Sequence, residues 1–162
     1  MPEFILNTDG TGAPWENLST FAQGFIEALF FSETAPGVAA SEWFDPENLE
    51  GVTQGTVDGV LPCDSSVAEL DADAFAKIKD HCDTFETANA TLLARAYETG
   101  YDESQAGRDL YFTHAGHGVG YWDRAELDGG LGDELSDAAG CGEYSLFYYQ
   151  TPNGPRIGLD MY

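Results

Sequence analysis

His114-Ala-Gly-His117, followed closely by Asp123, is the set of side chains in this sequence best suited to chemistry. Two imidazoles and a carboxylate can hold a divalent metal such as zinc, or move protons to and from a bound water. One reading is therefore a small metal-dependent hydrolase centred on His114, His117 and Asp123, with a cysteine available to complete the ligand set. The spacing is not that of a helical HExxH site and matches no standard zinc pattern. The competing reading is structural. Gly116, Gly118 and Gly120 permit unusual backbone angles or close packing, and His117 becomes a hydrogen-bonding residue that fixes a turn. His117, Gly118, Gly120, Trp122, Asp123 and Arg124 then form a structural motif, with Arg124 tied into local ion pairs that hold a hairpin end. The structural reading is the expectation here, and no catalytic residue, metal or cofactor is assigned.

Other catalytic signatures are missing. No local pattern joins a Ser or Cys to a base. Residues 116–120 lack the spacing and the following helix of a dinucleotide fingerprint, and there is no P-loop. Acidic pairs are so numerous that choosing two as a glycosidase dyad would be arbitrary.

The acidity itself is the larger signal. The chain of 162 residues carries 29 Asp and Glu against 6 Lys and Arg, a formal charge of −23. No Lys or Arg precedes Lys77. Binding to DNA or RNA requires Lys and Arg that neutralise phosphates and release counterions, so direct nucleic-acid binding is disfavoured and none is expected. An anionic membrane surface is disfavoured on the same ground. Basic partners are attracted at long range instead. Three acidic surfaces are candidates for meeting one: Glu42, Asp45, Glu47 and Glu50; Asp80, Asp83 and Glu86; and Asp123, Glu126, Asp128, Asp133, Glu134 and Asp137. Acidity that serves only solubility or a saline host is the alternative.

The hydrophobic fraction of 43% and the aromatic fraction of 13% are ample for a folded core, so acidity does not imply disorder. The length suits one domain. Leu18, Phe21, Ala22, Phe25 and Leu29 keep helical spacing and predict a first helix from Pro14 to Glu33. Phe30 and Phe31 widen its apolar surface, either for burial or as a partner-facing patch. Ala35 to Glu69 is broken by proline and glycine, with at most a short strand over Thr56–Leu61. Phe75, Ile78, Cys82, Phe85, Asn89, Leu92 and Ala96 recur at steps of three and four. They predict one long helix capped by Asp71 or Asp73 and stopped at Gly100, with Asn89 as a satisfied amide on the seam. Asp80, Asp83 and Glu86 fall off that seam. Asp109–His114 alternates in the manner of a strand and Val119–Trp122 resumes after glycines, which predicts a hairpin. A short helix over Leu131–Ala139, a strand over Glu143–Gln150, a turn at Thr151–Pro155 and a strand over Arg156–Tyr162 complete the chain. The expected fold is α+β: two main helices plus a short third helix, packed on a small antiparallel sheet.

Cys63, Cys82 and Cys141 are far apart and form no CxxC pair, so they read as small buried thiols in a reducing cytosol. The opening Met-Pro-Glu-Phe-Ile-Leu lacks the basic and apolar regions of a secretory signal, and no stretch is long enough to span a bilayer. The expected location is cytoplasmic. The sequence assigns no oligomeric state.

Ala106-Gly107-Arg108-Asp109-Leu110-Tyr111-Phe112, followed by His117-Gly118-Val119-Gly120-Tyr121-Trp122-Asp123-Arg124, resembles a family of small proteins encoded by phages and prophages. That family carries a run of the form AGHDFWxTRNGHGxGFWDR. Leu131–Leu135 and Glu143–Tyr148 resemble its downstream helix and strand, and the resemblance spans Asp73 to Ile157. Arg108 stands where the family has His, and His114-Ala115 replaces an Arg-Asn pair. The resemblance implies a phage or mobile-element origin and no particular activity. Joined to the acidity, it leads to the expectation of an anti-defence inhibitor, anti-CRISPR or anti-restriction. Such a protein acts in the cytoplasm of an infected bacterial host. It binds the basic nucleic-acid site of a host effector, as a DNA mimic does, by offering carboxylates where phosphates would sit.

Overall fold

The computed structural model describes residues 13–34, 61–152 and 154–161. The fold is α+β. In chain order it runs α1 (Ala13–Glu16), α2 (Thr20–Glu33), α3 (Ala72–Ala88), α4 (Ala90–Glu98), α5 (Glu103–His114), α6 (Leu131–Ala139), β1 (Tyr144–Thr151) and β2 (Gly154–Met161). Single 3-10 turns lie at Val67–Glu69 and Tyr121–Asp123. The possible strand over Thr56–Leu61 lies outside the described residues, except that Leu61 itself forms an isolated parallel bridge with Thr34.

The first predicted helix is two. Ser19 adopts an extended conformation and caps α2, its hydroxyl accepting from Ala22 N at 3.1 Å. A side-chain oxygen at that position satisfies a donor that the helix start leaves unpaired. Phe30 is buried and Phe31 is exposed, so the two aromatics divide between core and surface. The long predicted helix is also two. Asp71 does cap it, accepting from Ala74 N at 2.7 Å, and Gly100 with φ +93° follows its end. Asn89 interrupts it: its Nδ2 donates to the Phe85 carbonyl at 3.0 Å, and its own backbone leaves helical angles at φ −116°, ψ 21°. Short amide side chains compete in this way with the helical ladder. The seam shifts as a result: Leu93 rather than Leu92 is buried, alongside Ala96.

α2 and α5 form the central pair, crossing backbone against backbone. A Cβ on Gly24 would lie 2.1 Å from the Ser104 carbonyl oxygen, and one on Gly107 would lie 1.8 Å from that of Phe21. Only glycine permits this approach. The predicted hairpin of Asp109–His114 with Val119–Trp122 is therefore corrected. The first segment is the C-terminal half of α5, and the second leads into a 3-10 turn. Gln105 through Thr113 are all buried, so no polar face remains to reveal a helical period, and a strand-like alternation is left.

α6 forms over the predicted residues and buries Leu131, Leu135 and Ala139. β1 and β2 pair antiparallel from Tyr144↔Met161 to Thr151↔Gly154. A two-stranded sheet is marginal alone. Here Asp71 N donates to the Ile157 carbonyl at 2.9 Å, Lys77 Nζ donates to the Leu159 carbonyl at 2.9 Å, and Tyr148, Ile157 and Leu159 are buried. Buried side chains from α2 to β2 join in one hydrophobic cluster.

Candidate functional site

The motif that the sequence singled out closes on α5. Asp109 is fully buried. Arg124, arriving from the 3-10 turn, grips it with both arms of its guanidinium: Nε donates to Oδ2 at 2.8 Å and Nη2 to Oδ1. Gln105 Nε2 donates to Oδ1 at 3.1 Å, and the Tyr101 hydroxyl donates to Oδ2. An isolated buried carboxylate is very costly, and this one is tolerable because each oxygen is paired. The hydrogen bonds that Arg124 donates to Asp109 raise its guanidinium above its ordinary value. Burial, with Asp109 alongside, raises the Tyr101 phenol far above its own. Arg124 is thus the structural ion-pair residue that the sequence predicts, but its partner lies on α5 and it holds no hairpin.

The rest of the motif supports that grip. Tyr121 is fully buried; its hydroxyl donates to the Ala106 carbonyl at 2.7 Å and its backbone N to Thr113 Oγ1 at 3.2 Å. Gly120 is needed for space, since a Cβ there would lie 2.3 Å from the Trp122 ring. Gly118 meets nothing within 4 Å and carries no such requirement. His117 does cap the end of α5, through its backbone N–H to the Phe112 carbonyl at 2.9 Å. Its ring lies against Tyr111 and Phe112, with centroids at 5.6 and 5.7 Å.

The structure does not gather His114, His117 and Asp123 into a metal centre. His114 Nδ1 lies 2.9 Å from the Ala139 carbonyl, and its ring packs on Tyr144 at 4.9 Å and on His81 at 5.4 Å. Among the described residues no group of three or more His, Cys, Asp or Glu side chains is placed to hold a metal ion. The His81–His114–Tyr144 group itself joins α3, α5 and β1 across the core, with His81 Nε2 2.9 Å from the Tyr144 hydroxyl. Burial, with His114 nearby, lowers the His81 pKa. Sequence reasoning missed His81 because its partners are remote in the chain.

The acidic surfaces divide. Glu42, Asp45, Glu47 and Glu50 lie outside the described residues. Asp80 is exposed, and Asp83 pairs with Lys79. Glu86 is a correction: it is not free for a partner but accepts the Ser19 hydroxyl at 2.9 Å, tying α3 to the cap of α2. Burial raises its carboxyl above the ordinary range. Asp123, Glu126, Asp128, Asp133, Glu134 and Asp137 are all exposed, and Glu134 lies 3.5 Å from Arg95. A cleft of about 300 Å³ opens at the start of this surface, between residues 100–105 and 123–126. Asp102, Asp123 and Glu126 line it, with Arg124. Asp102 was missed as a surface residue. Its signal was legible as a cap, three residues ahead of Gln105, whose N–H it accepts at 2.7 Å.

Five of the six Lys and Arg pair with a carboxylate of the chain. Lys77 pairs with Asp73 and Asp160, Lys79 with Asp83, Arg95 with Glu134, Arg108 with Glu27 and Arg124 with Asp109. Arg156 donates to the Pro155 carbonyl at 2.7 Å. No helix among the described residues is long and apolar enough to cross a membrane. Comparison with protein-family models, with curated proteins and with solved structures finds no match to this chain.

Proposed function

We propose that the chain is a binding protein, a phage-borne anti-defence inhibitor of the anti-CRISPR or anti-restriction kind. It engages the basic nucleic-acid site of a bacterial host effector through the carboxylates of residues 123–137. The observation that carries this reading is the division of charge. Every Lys and Arg already has a partner within the fold, whereas Asp123, Glu126, Asp128, Asp133 and Asp137 stand exposed on one continuous stretch of chain. Such a surface attracts a basic groove at long range and can offer its Arg side chains bidentate contacts. Its one basic residue, Arg124, is already bound to Asp109. Asp80 and Asp83 form a second, weaker face, and the role of the resembled phage motif is to anchor the first.

A tagged chain is incubated with lysate of a bacterial host at low salt, and bound proteins are eluted by salt and, separately, by added DNA or RNA. The reading expects a basic nuclease or effector subunit released by both. A variant with Glu126, Asp128, Asp133 and Asp137 changed to their amides should lose that subunit. Retention by the amide variant, or release by neither salt nor nucleic acid, would sink the mimicry and leave acidity that serves solubility.

A further inference from the structure

Residues 120–124 alternate between anchoring and display. Gly120 and Tyr121 are buried, and Arg124 is clamped to Asp109. Tyr121 also stacks on Phe85 of α3, with ring centroids 6.1 Å apart. Between these anchors Trp122 is 46% exposed and Asp123 is exposed beside it. The indole is seated over Gly120, where a Cβ would stand 2.3 Å from the ring and 2.5 Å from Thr113 Oγ1. Val119, also exposed, precedes it. A large aromatic at the surface, flanked by the buried Gly120 and Tyr121 on one side and by the clamped Arg124 two residues on, is the kind of side chain that dominates binding energy when a partner covers it.

We propose that Trp122 and Asp123 form a preorganised receptor for an arginine side chain on a basic protein partner. This deepens the proposed function and rests on it. Charge complementarity selects the occupant. The chain carries −23, and the cleft that begins at Asp123 is lined by Asp102 and Glu126 as well, its one cation, Arg124, being already paired with the buried Asp109. A guanidinium satisfies both halves of the receptor: its flat face stacks on an indole, and its edge donates in a fork to a carboxylate. An ammonium holds its water more tightly and has no flat face, so lysine is the poorer ligand. Because the backbone that carries the indole is already anchored through Tyr121 and Arg124, less ordering entropy is lost on binding.

The test uses labelled oligo-arginine and oligo-lysine peptides of equal length, titrated with the full chain at low salt and read by fluorescence anisotropy. The wild type should bind the arginine peptide more tightly. Trp122→Ala should weaken the arginine peptide by roughly two- to fivefold and bring it level with the lysine peptide. Trp122→Phe should keep part of the preference, and Asp123→Asn should weaken both peptides. Phe147→Ala, which removes an exposed aromatic on β1, should change neither. Far-UV circular dichroism checks each fold, and Trp122→Phe and Asp123→Asn carry the test if Trp122→Ala misfolds. Equal binding of the two peptides, or equal losses in Trp122→Ala and Phe147→Ala, overturns this inference while leaving the acidic-surface reading standing. Binding of neither peptide overturns both.

Discussion

Arg124–Asp109 and Arg95–Glu134 are ion pairs of the same chemistry in opposite surroundings. In the first, the Asp109 side chain is wholly buried, held by two arms of the arginine and by Tyr101 and Gln105. In the second, both side chains are more than half exposed and meet at 3.5 Å. Water screens the exposed pair and the ordering of two long side chains offsets its attraction. The buried pair has no water to fall back on, so losing either partner strands a charge. The comparison separates two jobs done by carboxylates in this chain. Asp71, Asp102, Asp109 and Glu86 cap, clamp and tie elements together. Asp123, Glu126, Asp128, Asp133 and Asp137 remain in water and shape the field around the molecule.

The contrast can be broken most severely at Asp109. Asp109→Ala should cost about 3–5 kcal/mol of unfolding free energy in a denaturant titration. Replacing Asp109 and Arg124 together by apolar residues should recover much of that loss, because no charge is then stranded. Equal losses in the single and double variants would show that packing, not charge, is what the pair provides. Next comes the support beneath the clamp. Gly107→Ala drives a methyl group into the Phe21 carbonyl and should cost about 1–3 kcal/mol or more, read as a lowered thermal midpoint.

A smaller effect is expected at His81. Its folded pKa lies below the ordinary 6.5, so the folded state prefers the neutral ring. Its contribution is fully present above pH 6.5 and is lost as pH falls below that value, where the unfolded chain takes up a proton that the folded chain resists. The wild type should therefore lose stability relative to His81→Leu as pH falls from neutral. Both chains share the background of carboxylate protonation, so the difference between their thermal midpoints isolates the ring, and a difference independent of pH would contradict the assignment. The smallest effect belongs to the exposed pair. Arg95→Ala should change stability by about 0–1 kcal/mol at low salt, and by less at about 1 M salt.

Local sequence signals were legible where an element keeps one wet face. α6 forms over the predicted Leu131–Ala139, the hairpin strands fall within two residues of their expected limits, and Asp71 caps α3 as its position implies. α5 was illegible because burial on every side removes the contrast that periodicity reads. The breaks at Ser19 and Asn89 were hidden for another reason. Each rests on one side-chain hydrogen bond, to Ala22 N and to the Phe85 carbonyl, which an apolar pattern does not register. At the site, the sequence marked Asp123 and Arg124 together. It did not show that one faces water while the other reaches back to Asp109, because the partner is 15 residues away at the start of a segment read as strand.

The clamp between Asp109 and Arg124 also makes a closed ring of the chain between them. Gly116, His117, Gly118 and Val119 form an exposed stretch of that ring, while Tyr121 and Arg124 hold its far end to α5 and α3 through their own side chains. Continuity of the backbone is therefore redundant at this point. The stretch is suited to new termini in a circularly permuted chain, or to the insertion of a reporter peptide, with Trp122 and Asp123 still held by the same anchors.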